Sequence, residues 1–260
     1  MRSLDDIRTA LQECYSSIEG LCADLTDAEW TAQSLCPEWK MRDVVQHVTS
    51  IEAVMAGWLP QDDTTPPPLE RAADFLAGTD DPAILAQKVH AVYDRRRQDL
   101  DALTAADLDR PSWMPVGPGR YGRFLEIRVF DFWVHERDIT IPLGRRTDDA
   151  GIAAEIALAE VEGSIGYIVG KKVGLPEGRS IAFRLTGPIE RDIDVAVNGR
   201  AARVDHLDDP DVTLTTDSTT FVMLASGRID PQAQIDSGAV SWTGDAELGE
   251  RAARNLRFTM

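Results

Sequence analysis

Residues 130–139 read FDFWVHERDI and place Asp131, His135 and Asp138 among mostly apolar neighbours. Asp131 and His135 are four apart, a spacing that puts both donors on one helix face, as helical metal sites require. At roughly 100° per residue, Arg128 and Asp138 join them within an arc of about 80°. Phe124, Ile127 and Val134 share that side, while Phe130 and Trp133 fall elsewhere. A helix that is apolar nearly all round is usually buried. Buried charge is costly unless it is paired or metal-bound, so the stripe needs partners inside the fold. His47, in MRDVVQHVTSIEAVM, flanks an apolar face formed by Val44, Val48, Ile51 and Met55, where solvent is not expected.

Two chemistries fit these residues. In one, both histidines are satisfied core side chains, and Arg128, Asp131 and Asp138 form a buried ion network. In the other, His47, Asp131 and His135 hold a divalent metal. Two histidines and one carboxylate leave a coordination position open for water or substrate, which marks catalytic metals. The set suits zinc, and also nickel or iron. The remaining histidines read as surface groups: His90 in a charged helix and His206 in an acidic loop. The run DRRR at 94–97 reads as a solvated face. VGPGRYGR, just ahead of the striped helix, reads as a connector or as an anion cradle at the helix start.

The elements that must position the stripe are legible from periodicity. Leu4, Ile7, Leu11, Cys14, Ile18 and Leu21 recur at three- and four-residue steps and predict a first helix. SLCPEW breaks the pattern, with Pro37 near the start of a second helix over 41–59. PQDDTTPPPLE is a proline-rich loop. Residues 69–104 are helical again, with Asp81-Pro82 as a restart. A long irregular stretch, 110–123, precedes the striped helix over 124–141; loops of that length are often functional. Four long helices predict a four-helix bundle over 1–145. Beyond it, 149–174 reads as one amphipathic helix. Alternating residues around Ile181–Leu185 and Ile193–Val197, the Asn198-Gly199 turn, Val204 and VTLTTD read as period-two strands. STTFVMLASGR and DAELGERAARNLRF read as closing helices. The fold class is therefore α+β with two domains, 1–145 and 146–260, the second with a small antiparallel sheet.

Composition excludes several functions. The chain has 260 residues and a formal net charge of -17. That balance argues against nucleic acid and against an anionic membrane surface. No signal peptide or apolar spanning run is legible. Three cysteines, Cys14, Cys22 and Cys36, with no CxxC pair, fit a reduced cytoplasm and buried thiols. None lies near a histidine in sequence, which argues against a reactive cysteine.

CPEWKMRDVVQHV and RVFDFWVHERDI resemble the two signatures of the mycothiol-dependent maleylpyruvate isomerase family. VTLTTDSTTFVMLASGRID and GAVSWTGDAELGERAARNLRF resemble that family's C-terminal domain, which is sterol-carrier-protein-like. The N-terminal half resembles the wider DinB-like superfamily of four-helix bundles. The resemblance implies that His47, Asp131 and His135 are the metal ligands, and that the metal binds the thiol of mycothiol. A metal-bound thiol becomes a thiolate at neutral pH. Its addition to a small electrophilic metabolite would give cis-trans isomerisation if the thiol is expelled after rotation, and S-transfer if it stays. The resemblance further implies roles for Arg128 and Asp138 in orienting ligands or contacting the thiol, and for Arg228 in contacting an anion. A capping role competes for Arg228. A non-catalytic small-molecule binder is the alternative reading. The chain departs from the resemblance at Asp131, where the characterised isomerase carries glutamate, and at Lys40, where many relatives carry a serine or threonine cap.

Overall fold

A computed structural model describes residues 2–259, which divide into two compact units: 2–147 with 151–156, and 148–150 with 157–259. In the first unit, α1 (Leu4–Asp24) starts at a capping box: the Ser3 hydroxyl accepts from the Asp6 N–H, and the Asp6 carboxylate accepts from the Ser3 N–H. A single turn, α2 (Asp27–Trp30), leads to α3 (Met41–Met55). Lys40 caps α3 without a side-chain bond, and Asp43 accepts the Lys40 N–H at 2.9 Å, the compensation that Asp43's place in the first turn predicts. Helix α3 stops earlier than the apolar periodicity suggests. Gly57 turns left-handed (φ 68°) and donates its N–H to Asp99.

The predicted helical stretch after the proline-rich loop divides into α4 (Glu70–Leu76) and α5 (Pro82–Ala102). Asp81 caps α5 by accepting the Ala83 N–H, and Pro82 opens it. Residues 110–123 are more ordered than expected. They hold a minimal hairpin, β1 (Pro111–Ser112) with β2 (Gly119–Arg120), that delivers the chain into α6 (Tyr121–Thr140).

Helix α1 packs on α5 and α6, and α3 packs on the same two, closing a four-helix bundle. Its centre is an aromatic knot: Tyr15 stacks on Tyr93 at 4.6 Å, and Phe132 meets both edge-on. Helix α6 is buried on nearly every side, as its composition predicts.

In the second unit, α7 (Ile152–Tyr167), which begins in the first, runs into a π-helical turn over Ile168–Val173 that ends on left-handed Gly174. The strands β3 (Ser180–Thr186), β4 (Arg191–Asn198), β5 (Arg200–Val204), β6 (Val212–Asp217) and β7 (Val240–Gly244) form a sheet ordered β5-β4-β3-β6-β7. The sheet is antiparallel except at β3–β6, which is parallel. The expected antiparallel sheet is present apart from this one pair, and the cause of the exception is the short β5. It ends with Val204 opposite Asp194, level with Ala182, so residues 205–211 need only cross one end of the sheet before Val212 pairs with Ile181. Helices α8 (Ser218–Ala225), α9 (Pro231–Asp236) and α10 (Ala246–Arg254) complete the unit. Strand β7 and helix α9 were not legible in the sequence. Their period is masked by Pro231, Gly238 and Gly244.

Candidate metal centre

Helices α3 and α6 bring His47, Asp131 and His135 together. His135 Nε2 lies 3.5 Å from Asp131 Oδ1, and His47 Nε2 lies 3.7 Å from Asp131 Oδ2. The imidazole centroids are 4.9 Å apart. One donor atom from each residue lies within 4.8 Å of the others. Two ligands at about 2.1 Å from a tetrahedral ion stand about 3.4 Å apart. The two histidine–carboxylate separations are close to that length, and the three donors are near enough to one another to surround a divalent ion. Asp131 and His47 keep 26% and 32% of their side chains exposed, whereas His135 is buried. The partial exposure of His47 corrects the expectation of a solvent-free flank.

The other nitrogen of His135 is already engaged. Nδ1 stands 2.8 Å from Asp138 Oδ2, and Asp138 has no exposure. A carboxylate behind a ligating histidine fixes its tautomer and turns the other nitrogen to the metal. Cys36 adds to the same oxygen, with Sγ donating to Asp138 at 3.1 Å and lying 3.9 Å from His135 Nδ1. The distance along the chain between Cys36 and the histidines hid this contact from sequence reasoning.

Trp39 was missed as well. Its ring lies 5.0 Å from that of His47, and 6.0 Å from that of His135 with the planes 17° apart. The loop that presents it is held tightly. The Gln33 amide donates to the carbonyls of Ser34, Cys36 and Trp39, the Ser34 hydroxyl donates to Trp39, and the Leu35 N–H donates to the Asp138 carbonyl. Glu38 adopts φ 66°, the one positive value at a non-glycine among the described residues. Such backbone persists where surrounding bonds over-determine it, and it clusters at functional sites.

Behind Asp131 lies a buried charge network. Arg128 Nη1 donates to Asp131 Oδ2 at 2.6 Å, its Nε to Glu52 Oε1 at 2.9 Å, and its Nη2 to the Val48 carbonyl at 3.1 Å. Arg96 Nε and the Tyr15 hydroxyl both donate to Glu52 Oε2, at 2.8 and 2.7 Å. Arg96 belongs to the DRRR run, so the solvated-face expectation fails for it: Arg96 is 1% exposed. Glu52, on the same helix as His47, escaped the sequence reading because its charge interrupts an otherwise apolar face only once.

Burial opposes the charge on Asp131, but Arg128, His135 and His47 outweigh it and hold its carboxyl well below the usual range. Burial likewise opposes a charged His135, and Asp131, Asp138 and Cys36 outweigh it, so its imidazole is held well above the usual value. In Glu52 burial is overcome by Arg96, Arg128 and the Tyr15 hydroxyl, and its carboxyl is lowered.

The other predicted residues lie apart from this set. His90 is exposed and pairs with Glu19 and Asp94. These three could also gather around an ion, but Arg97 already occupies Glu19. His206 is exposed beside Asp194 and Asp208. Arg228 lies in the second unit just after α8, donating its N–H to Met223 and Nη1 to Ser226, a helix-end arrangement. All three thiols are free. Cys14 and Cys36 are buried, and burial first, with Glu19 second, pushes the Cys22 thiol up to about 12.

A four-helix bundle that brings two histidines and a carboxylate together, followed by a small α+β unit, is a defined class of protein. The family model described as the mycothiol maleylpyruvate isomerase N-terminal domain matches residues 11–140, and that described as the MDMPI C-terminal domain matches 155–251. The chain belongs to the mycothiol maleylpyruvate isomerase family. A crystal structure of the mycothiol-dependent maleylpyruvate isomerase is similar over 95% of this chain and 98% of its own, at 17% identity and a TM-score of 0.63. A histidine mutant of that enzyme gives the same coverage and identity with a TM-score of 0.62. These likenesses show the fold. Sterol Carrier Protein 2 from Yarrowia lipolytica matches 43% of this chain and 96% of its own at 15% identity and a TM-score of 0.29. No curated protein sequence matches the chain. No helix of the described residues is long and apolar enough to cross a membrane.

Proposed function

We propose that the chain is a metal-dependent enzyme that uses a low-molecular-weight thiol, mycothiol, for cis-trans isomerisation or S-transfer on a small electrophilic metabolite. The observation that carries this reading is the convergence of His47, Asp131 and His135, with one donor atom of each within 4.8 Å of the others and His47 and Asp131 partly exposed. Membership of the family, and the likeness to an enzyme described as a mycothiol-dependent maleylpyruvate isomerase, support the choice of thiol and reaction. Zinc is the favoured ion, with nickel and iron compatible with the same donors.

A bound divalent ion supplies one thing: it lowers the pKa of a coordinated thiol so that thiolate is present at neutral pH. The chain's own residues do the rest. Asp138 holds His135 through Nδ1 and leaves Nε2 as the nitrogen that would hold an ion. Arg128 reaches Asp131 from the buried side through one N–H. Asp138 and Arg128 are too buried to touch a ligand; Asp138 positions His135, and Arg128 bears on the site only through the Asp131 oxygen that it holds. Trp39, half-buried beside both imidazoles, forms an apolar wall that limits water at the site. We keep Arg228 as the proposed anion contact, carried by residues 146–260, while 1–145 carries the metal. Three free thiols support a reducing, cytoplasmic setting.

The test is elemental analysis of the purified chain beside His47→Ala, followed by isomerase assays with and without mycothiol. About one zinc per chain, lost in the variant, with activity that requires both thiol and metal, is the expected result. A chain that takes up no zinc, nickel or iron when offered them sinks the metal reading. A chain that binds the metal and the thiol without turnover is a binding protein.

A further inference from the structure

Glu52 is a carboxylate of a bundle helix with no exposure to solvent. Its environment divides the Arg128 guanidinium among three acceptors. Nε goes to Glu52 at 2.9 Å, Nη2 to the Val48 carbonyl at 3.1 Å, and only Nη1 reaches Asp131, at 2.6 Å. An arginine that faces a carboxylate without such rivals commonly grips it with two parallel N–H···O bonds. That grip would occupy both oxygens of Asp131. These are the oxygens that face the two histidines: Oδ1 lies 3.5 Å from His135 Nε2 and Oδ2 lies 3.7 Å from His47 Nε2.

We infer that Glu52 is a positioning residue for the donor set: by holding Arg128 through Nε, it prevents that arginine from closing on both oxygens of Asp131 and leaves the carboxylate open to a cation between the histidines. This rests on the metal reading above. Two features favour it over a purely structural role. First, Glu52 is itself fixed from the other side by Arg96 and Tyr15, at 2.8 and 2.7 Å, so it cannot follow Arg128 if the latter swings. Second, Asp131 has a short side chain and sits one turn from Arg128 on the same helix, so it has little freedom to withdraw from the guanidinium. If Glu52 were neutral, the remaining carboxylate in contact with Arg128 would be Asp131, whereas Arg96 would retain Asp99.

The experiment is zinc affinity by chelator competition on the full chain, for wild type, E52Q, R128M and E52Q/R128M, with the metal-free thermal unfolding of each recorded alongside. E52Q is expected to weaken zinc by about 10–100-fold, the range for residues that support metal ligands. The double variant is expected to recover at least about tenfold of that loss, because the competitor is gone. R128M alone, which keeps the Glu52–Arg96 pair, is expected to bind zinc at least as tightly as wild type, and it decides the matter even if E52Q does not fold. Zinc affinity in E52Q equal to wild type, a loss that R128M fails to recover, or weaker binding in R128M alone each overturns the inference and leaves the metal reading standing. No binding by wild type overturns both.

Discussion

In the helical unit, Glu52, Arg96, Arg128, His135 and Asp138 are each no more than 4% exposed and are bonded to one another or to Asp131. In the sheet unit, the buried carboxylates are Glu162 and Asp194, at 8% and 5%, and they lean on Arg191, Arg203 and Arg184, whose side chains keep 27–50% of their surface. The sheet's arginines can return to water if a partner is lost. Those of the bundle cannot. A buried pair gains little over an apolar one of the same shape but is costly to break. The bundle therefore carries these five charged groups at a cost that packing alone does not explain, and they connect to Asp131 or His135, whereas Arg137, equally buried, pairs with Glu136. The sheet's pairs read as rim staples.

The comparison can be broken or sharpened by substitution. The largest effect is expected at the donors. His135→Ala or His47→Ala should abolish stoichiometric zinc by elemental analysis and, with it, thiol-dependent isomerisation; retained zinc in either would detach the donor set from the metal. Next comes Glu52→Ala, which removes the carboxylate shared by two buried guanidinium groups and should cost about 3–5 kcal/mol in denaturant unfolding. A cost below about 1 kcal/mol would put the bundle network on a par with the sheet's.

The same residue sets an acid limb. Because Glu52 is held below the ordinary glutamate value, its contribution is complete above about pH 4.3 and disappears as pH falls through its lowered folded value. The stability gap between wild type and E52Q should therefore be constant near neutrality and narrow in acid. A gap that widens below pH 4 contradicts the assignment. Asp138→Asn should weaken zinc about 10–100-fold while leaving one ion bound at saturation, as read by chelator competition. The smallest effect belongs to the sheet: Glu162→Gln should cost about 1 kcal/mol and leave zinc uptake unchanged. A change in zinc there would erase the distinction between the two units.

Much of this was legible in the chain. The stripe of α6 announced itself because helical geometry is local: four-residue spacing puts Asp131 and His135 on one face whatever else the fold does. The helices, the Asn198-Gly199 hairpin and the family signatures were equally local. The residues that escaped share one feature, contact across large sequence separations. Cys36 meets Asp138 from 102 residues away, and Arg96 meets Glu52 from 44. Each looked bland in its own segment, as a lone thiol or as one charge in a basic run.

By itself, then, the sequence determined the bundle and the small α+β unit and put Asp131 and His135 on one helix face, because periodicity, capping and turn chemistry act over a few residues. The tertiary structure decided what those residues and His47 face. It exposed His47 rather than burying it, placed Asp138 and Cys36 behind His135, set Trp39 beside both imidazoles, buried Arg96, and turned β6 parallel to β3. The physical reason is that desolvation and hydrogen-bond geometry depend on which surfaces meet, and surfaces meet only once the helices have packed.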